Sequence, residues 1–222
     1  SALPASLKVS RLVRETAQRF SRAGLHFGHG THNAREEAAW LVSSVLGYLL
    51  EKEVNPLALR KIEILIRHRI RERIPLAYLL HEAWLGEHSF FVDERVVVPR
   101  AFIAELLRER LRPWLAREPK RALDLCTGSG CLAVLLALTF RRTSVDAADF
   151  SGDALAVARK NVNRYRMKKR INLVKSDLFR SLGNRKYDLI VSNPPYVTAR
   201  SMRRLPREYR HEPLVALAAG WG

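Results

Sequence analysis

The sequence predicts an α/β protein in which a small helical domain and a β-ribbon precede a doubly wound parallel sheet. Two observations support this prediction. Apolar residues recur at helical spacing up to about residue 73, whereas from residue 121 short apolar segments alternate with helical ones, as in βαβ units. With 222 residues, 47% of them hydrophobic, the chain can bury the core of one full domain and of a smaller one.

The first domain, which we place at residues 1–80, is predicted to be helical. Its first helix ends at Gly24, its second runs from the cap Asn33 to Gly47, and its third covers residues 56–73. One face of the third helix is apolar, and we expect the opposite, strongly basic face to be solvated. The cations of that face are Arg60, Lys61, Arg67, Arg69, Arg71 and Arg73.

A linker at residues 81–100 and a second domain at residues 101–222 follow. Residues 83–98 alternate in polarity around Gly86 and again further on, which predicts a β-ribbon. An amphipathic helix is predicted over residues 101–116, and strands and helices alternate after it. The predicted strands are 122–126, 144–149, 171–176 and 187–192, and the predicted helices between them are 132–140 and 152–165.

A glycine loop joins the first of these strands to the next helix. Gly128 and Gly130 permit a tight turn and a close approach of the backbone to a ligand. Ala133 stands where a dinucleotide-binding loop has its third glycine, so a pyrophosphate is not favoured. Asp149 ends the second strand, where an acid can accept hydrogen bonds from ribose hydroxyls, and Asp177 ends the third, where it can reach an adenine. Helix capping is the alternative role of both acids.

The segment 193–196, Asn-Pro-Pro-Tyr, follows the fourth strand. The prolines stiffen it and leave the Pro194 carbonyl beside the Asn193 side-chain oxygen, so two acceptors face one NH₂ group. Tyr196 offers a flat face on which a planar amide or base can stack. Holding both hydrogens would aim the nitrogen at an activated methyl group and favour the tetrahedral nitrogen of the transition state. The segment therefore predicts methylation of a planar amide or amino nitrogen, whereas a stiff loop is the alternative for the segment taken alone.

The cysteines and histidines indicate no metal centre. Cys126 and Cys131 flank the glycine loop, and two such residues predict neither a disulfide framework nor a zinc site, which fits a cytoplasmic protein. His26, His29 and His32 lack further ligands nearby, so we expect a loop or interface role for them. No apolar run approaches the roughly 20 residues that cross a bilayer.

The formal net charge is +17, which predicts polyanionic surroundings such as RNA, with a solvated basic surface as the alternative. A basic segment follows Tyr196, and we expect it to steer the protein to RNA around its substrate, with a solvated loop as the alternative. Its cations are Arg200, Arg203, Arg204, Arg207 and Arg210.

Four motifs resemble those of the protein N(5)-glutamine methyltransferases, which use S-adenosylmethionine: Asp124 to Cys131, 145–149, 176–179 and 192–196. Strings outside these motifs are similar to the branch that modifies a glutamine of the large-subunit ribosomal protein L-three, more than to the release-factor branch. They are Phe27 to Thr31, Arg73 to Leu79, Val92 to Arg95, Val98 to Arg100 and Glu208 to Pro213. Ala101 and Phe102, which follow Arg100, also favour the ribosomal-protein branch.

The resemblance implies a helical substrate-recognition domain, a β-ribbon linker and a Rossmann-like class I S-adenosylmethionine-binding catalytic domain. It also implies further C-terminal strands, so we expect the sheet to be incomplete here. The residues expected to bind the cofactor are Asp124, Cys126, Thr127, Gly128, Ser129, Gly130, Asp149, Asp177, Leu178 and Asn193. Those expected to bind the glutamine are Arg100, Asn193, Pro194, Pro195 and Tyr196, of which Asn193, Pro194 and Tyr196 are the expected catalytic residues.

The implied function is N(5)-methylation of a glutamine side chain in a large-subunit ribosomal protein, with S-adenosylhomocysteine as the other product. The expected substrate is RNA-associated, and contact with rRNA through the basic surface is expected. Three alternatives stay open: methylation of a release-factor glutamine, amino-methylation of adenine in nucleic acid, and a non-catalytic RNA-binding protein of the same fold. The sequence offers no added target-recognition domain for nucleic acid, and the intact acceptor pair argues against a non-catalytic role.

Overall fold

The computed structural model describes residues 8–47, 54–100, 102–112 and 114–217. The chain forms two compact units. The helical unit contains the residues up to His81 together with Pro206–His211, and the sheet unit contains Glu82–Leu205 and the residues from Glu212 onward. Pro206–His211 lies within the range predicted for the second domain, whereas in the structure this segment belongs to the helical unit.

The helical unit is built from α1 (Val9–Arg22), α2 (Ala34–Leu46), α3 (Pro56–Arg71), α4 (Leu76–Leu80) and a 3₁₀ helix (Arg207–His211). The predicted cap of α2 is confirmed, because the Asn33 side chain accepts hydrogen bonds from the N–H groups of Arg35 and Glu36. Asn55 caps α3 in the same way. The short α4 after Pro75 was not predicted, since the proline signalled only a break. Apolar side chains from all four helices form one core.

Arg69 lies inside the helical unit, so its assignment to a solvated basic face is wrong. Only 1% of its surface is exposed. Its Nε donates to Glu37 at 2.5 Å, and its guanidinium also donates to Glu208 at 3.3 Å and to the His26 carbonyl at 2.8 Å. Arg73 likewise donates to backbone carbonyls at the end of α1. The four other cations of that helix face are exposed, as predicted: Arg60, Lys61, Arg67 and Arg71.

The sheet unit contains β1 (Ala83–Leu85), β2 (His88–Phe90), α5 (Phe102–Arg108), β3 (Arg121–Leu125), α6 (Cys131–Thr139), β4 (Ser144–Asp149), α7 (Gly152–Arg164), β5 (Ile171–Lys175), β6 (Leu189–Ser192), α8 (Ala199–Met202) and α9 (Leu214–Leu217). The predicted ribbon is shorter than expected, because only β1 and β2 pair and residues 92–99 form no strand. The helix predicted over 101–116 ends at Arg108, because Arg110 and Leu111 adopt positive φ angles that a helix cannot continue.

The predicted parallel sheet is confirmed, with the strand order β5-β4-β3-β6. All three strand pairs are parallel, so the carboxyl ends of the strands lie along one edge. The helices α6 and α7 pack on this sheet, and α6, which is apolar up to Thr139, is buried in its core. Among the described residues, no helix is long and apolar enough to span a membrane.

Candidate active site

The carboxyl ends of β3, β4 and β6 border a pocket of about 390 Å³, within the usual size range of ligand sites. Residues distant in sequence meet here, because each follows a strand that ends at the same edge of the sheet. The pocket is lined by these residues that the sequence predicted: Arg100, Cys126, Thr127, Gly128, Ser129, Asp149, Asn193, Pro194, Pro195 and Tyr196.

The glycine loop after β3 requires glycine at two positions for different reasons. Gly128 has a φ of 54° and faces open space, so it permits a left-handed turn at the pocket wall. Gly130 has a φ of 75°, and a Cβ there would lie 2.9 Å from the Ala158 Cβ. Gly130 therefore allows α7 to approach the loop, and it does not line the pocket.

Asp124 lies beneath the loop and supports it. Its Oδ2 accepts hydrogen bonds from the Thr127 hydroxyl at 2.5 Å and from the Ala133 N–H at 3.0 Å. Complete burial raises the pKa of Asp124 to about 7, and its Oδ1 has no hydrogen-bond partner among the described residues. Asp124 does not line the pocket, so its contacts are those of a residue that positions the loop.

Asp149 is held at the pocket edge by two backbone groups. Its Oδ2 accepts from the Gly128 N–H at 2.8 Å, and its Oδ1 accepts from the Ser151 N–H at 2.9 Å. The second bond is a local contact at the start of α7, but the cap of that helix is Ser151. A carboxylate has more lone-pair sites than these two bonds use, so it can accept further hydrogen bonds in the pocket. The exposed ring of Phe150 lies beside it in the same wall.

Asp177 and Leu178 lie outside the pocket lining. Asp177 forms an ion pair with Arg180 at 2.6 Å on the surface. Leu178 is exposed and has a φ of 48°. The structure thus does not bring these two residues together with the glycine loop, and their predicted cofactor contact stays a prediction.

The segment from Asn193 to Tyr196 leaves β6 at the same edge. The Ser192 hydroxyl donates to the Leu125 carbonyl at 2.8 Å, which fixes the start of the segment against β3. Asn193, Pro194 and Tyr196 are exposed, and all three line the pocket. The two predicted acceptors therefore lie where a side chain entering from solvent can reach them.

Arg100 connects Tyr196 to a buried carboxylate. Its Nη1 lies 3.5 Å from the Tyr196 hydroxyl, and its Nη2 donates to Glu212 at 3.2 Å. The Glu212 side chain is 0% exposed and also accepts a hydrogen bond from the Val98 N–H at 3.2 Å. Burial raises the pKa of Glu212, while Arg100 opposes that shift by favouring the carboxylate.

The contacts of Glu212 with Val98 and Arg100 were not predicted from the sequence. The residue lies in a string shared with the family, but nothing local signals that its side chain reaches Val98 and Arg100 across more than a hundred residues. Glu105, in the helix that follows Arg100, is exposed and does not line the pocket. Among the described residues, no group of His, Cys, Asp and Glu is arranged to hold a metal ion.

Comparison with known proteins decides the family. The family model described as "Methyltransferase small domain" matches residues 100–206. The ribosomal protein uL3 glutamine methyltransferase of Neisseria meningitidis serogroup B is 50% identical over 218 residues, which cover 94% of this chain and 72% of that protein. The chain belongs to the family of ribosomal protein uL3 glutamine methyltransferases. The resemblance on which the sequence analysis relied is thus confirmed.

Two further relatives agree with this family, and one solved structure is similar in fold. The uL3 glutamine methyltransferase of Burkholderia pseudomallei is 47% identical over 235 residues, covering 98% of this chain and 76% of its own length. That of Bordetella pertussis is 49% identical over 219 residues, covering 94% and 73%. The solved hMettl16 catalytic domain in complex with MAT2A 3′UTR hairpin 6 is similar in fold, with a TM-score of 0.51 and 16% identity over 83% of this chain and 68% of that one.

Proposed function

We propose that this methyltransferase transfers a methyl group from S-adenosylmethionine to the side-chain amide nitrogen of a glutamine in ribosomal protein uL3. The observation that carries the proposal is that Asn193, Pro194 and Tyr196 line one pocket with the glycine loop and Asp149. Relatives about half identical to this chain are named for that activity. S-adenosylhomocysteine would be the other product.

The residues that line the pocket fit S-adenosylmethionine. Asp149 is oriented by the Gly128 and Ser151 N–H groups and keeps acceptor capacity for ribose hydroxyls. The turn at Gly128 lets the loop backbone approach a ligand, and the exposed Phe150 ring gives an apolar surface for a flat base. Asp124 supports this arrangement from below through Thr127 and Ala133. The cofactor, when bound, supplies a methyl group activated by a positively charged sulfur.

The residues of the Asn193–Tyr196 segment would hold the glutamine amide. The Asn193 Oδ1 and the Pro194 carbonyl accept its two N–H hydrogens, which directs the nitrogen lone pair into the pocket. As the methyl group is transferred, positive charge develops on that nitrogen and its N–H groups become stronger donors, so both acceptors stabilise the transition state more than the planar ground state. Tyr196 stacks on the amide plane, and Arg100 positions the Tyr196 ring from its hydroxyl. The surplus proton leaves to solvent after transfer, so the residues need not include a strong base.

The partner in this proposal is a ribosomal protein in an RNA-associated state, and the setting is the cytoplasm. The exposed cations Arg203 and Arg204, which follow the catalytic segment, are expected to steer the enzyme towards that RNA. The helical unit is the proposed substrate-recognition domain. Release factors and adenine in nucleic acid are the competing substrates.

A labelled-methyl assay tests the proposal. Purified uL3, a release factor and adenine-containing RNA and DNA are each incubated with the enzyme and S-adenosylmethionine, and mass spectrometry locates the product. We expect methylglutamine in uL3 alone. The variant Asn193→Ala should lower kcat/KM about 100-fold because the amide loses one of two orienting acceptors. Asn184→Ala, at an exposed asparagine outside the pocket, is the matched control and should leave the rate unchanged. Methylation of another substrate with none of uL3 would refute the proposal.

A further inference from the structure

A shallow groove lies at the amino ends of β4 and β5. Ser144 and Ile171, which begin these strands, are part of its wall, whereas Asp149 at the far end of β4 lines the methyl-transfer pocket. Five residue steps along a strand separate Ser144 from Asp149, a distance of about 16 Å. The groove and the pocket are therefore on opposite edges of one sheet, and a ligand in the groove leaves the pocket open.

The groove is strongly basic. The stretch from residue 154 to residue 176 contains eight Lys or Arg residues and no Asp or Glu. Arg159, Lys168 and Lys169 from this stretch are exposed and line the groove. None of the described carboxylates forms an ion pair with any of these three side chains. Their positive charge is therefore directed at solvent.

Three arginines set the shape and the net charge of the groove. Arg170 donates hydrogen bonds to the carbonyls of Ala137, Phe140 and Thr143, which holds the turn between α7 and β5 rigidly in place. Asp146 is an acid in the wall, but its carboxylate is engaged by Arg121 at 3.4 Å and by Arg185 at 3.2 Å. The acid is thus neutralised by its own partners, and the net charge facing outward stays positive.

Polar amides complete the wall, as Asn163 and Asn172 also line the groove. Cations combined with amide donors are the side chains that contact nucleic-acid phosphates and sugars. Surfaces that bind membranes pair their cations with exposed Trp, Phe or Leu, and no large apolar side chain between residues 154 and 176 is exposed. The chemistry therefore favours a hydrophilic polyanion.

We propose that this groove binds the phosphate backbone of RNA while the pocket at the opposite edge holds the target glutamine. The choice of RNA over other polyanions rests on the proposed function, because a ribosomal protein is a substrate found on RNA. Arg159, Lys168 and Lys169 contact successive phosphates, and Asn163 adds hydrogen bonds, whereas the Asn172 amide donates to Asp146 at 2.9 Å. The contacts are to the backbone, so they give affinity with little sequence preference.

RNA binding by the groove is tested by fluorescence anisotropy, with the full chain and a labelled RNA hairpin of about two helical turns. The affinity is measured at salt concentrations from about 50 to 200 mM. The triple variant Arg159→Ala, Lys168→Ala, Lys169→Ala should bind about tenfold or more weakly. The slope of log affinity against log salt should become shallower by about 2 to 3, because each duplex phosphate contact contributes about 0.9. Lys168→Arg with Lys169→Arg keeps the charge and should keep the affinity.

The matched control removes the same charge from exposed arginines of the same unit that do not line the groove: Arg112→Ala, Arg117→Ala and Arg141→Ala. An equal loss of affinity in both triple variants would show that net charge alone sets binding, and would overturn the proposal, as would an unchanged affinity in the groove variant. Methylation of isolated uL3 is measured in parallel and should not change. Groove-dependent RNA binding without any uL3 methylation would refute the proposed function but would still support RNA binding by the groove.

Discussion

Replacing Glu212 by alanine should lower both stability and substrate affinity. The Glu212 side chain is 0% exposed, whereas Arg100 beside it is 32% exposed, and their closest atoms are 3.2 Å apart. Removing one partner of a buried pair costs about 3–5 kcal/mol, and partial exposure of Arg100 reduces that to about 2 kcal/mol. For a protein of this size we expect the Tm to fall by about 4–8 °C in a thermal melt.

The kinetic effect of Glu212→Ala should fall on the protein substrate. Glu212 orients Arg100, which contacts Tyr196 on the glutamine side of the pocket, whereas Asp149 on the cofactor side is held by other groups. We expect the KM for uL3 to rise about tenfold, roughly 1.4 kcal/mol, while the KM for S-adenosylmethionine stays the same. Steady-state kinetics with each substrate varied in turn measure both values.

Two further variants sharpen this test. Glu212→Gln keeps an acceptor for the Val98 N–H and should show an intermediate loss, while Glu109→Ala removes an exposed carboxylate of the same unit and should change nothing. The reasoning is refuted if Glu212→Ala lowers the Tm but leaves the KM for uL3 unchanged, because Glu212 would then stabilise the fold without positioning Arg100.

Three other predictions concern stability. Arg69→Met leaves Glu37 and Glu208 buried without their shared cation, so the free energy of unfolding in urea should fall by about 3–5 kcal/mol. A fall below about 0.5 kcal/mol would contradict this. Gly130→Ala places a Cβ against Ala158 at a positive φ and should cost about 1–3 kcal/mol in the same assay. The folded pKa of Asp124, about 7, lies above its ordinary value of 3.8, so this group makes the protein less stable as the pH rises from about 4 to 7. Asp124→Asn should remove that part of the decline, and an unchanged pH dependence would exclude Asp124 as its source.

Local signals predicted much of the fold. The cap Asn33 and the alternation of strands and helices depend on residues within a few positions of one another, and the structure confirms them. The pocket was predictable for a related reason. The carboxyl ends of parallel strands meet at one edge, so motifs following β3, β4 and β6 had to come together.

The incorrect or missing predictions concern residues whose burial and contacts depend on partners that are distant in sequence. Arg69 follows the spacing of an exposed helix face, but Glu37 and Glu208 are carried by other segments and neutralise it in the core. Glu212 gave no sign of its role, since the partners Val98 and Arg100 are far away in sequence. The periodicity of a sequence indicates which face of a helix or strand is apolar. It does not indicate which oppositely charged side chain will pair with a buried charged residue.

The buried charge cluster of the helical unit also constrains the order in which the chain can mature during synthesis. Glu208 is made 139 residues after Arg69, when the described strands of the sheet have already been synthesised. Until then the nascent helices hold Arg69 and Glu37 without the second carboxylate and without the 3₁₀ helix that carries it. We expect the N-terminal helices to stay loosely packed and sensitive to protease during this interval, so that the helical unit, although it begins the sequence, cannot complete its core before residues 206–211 have been made.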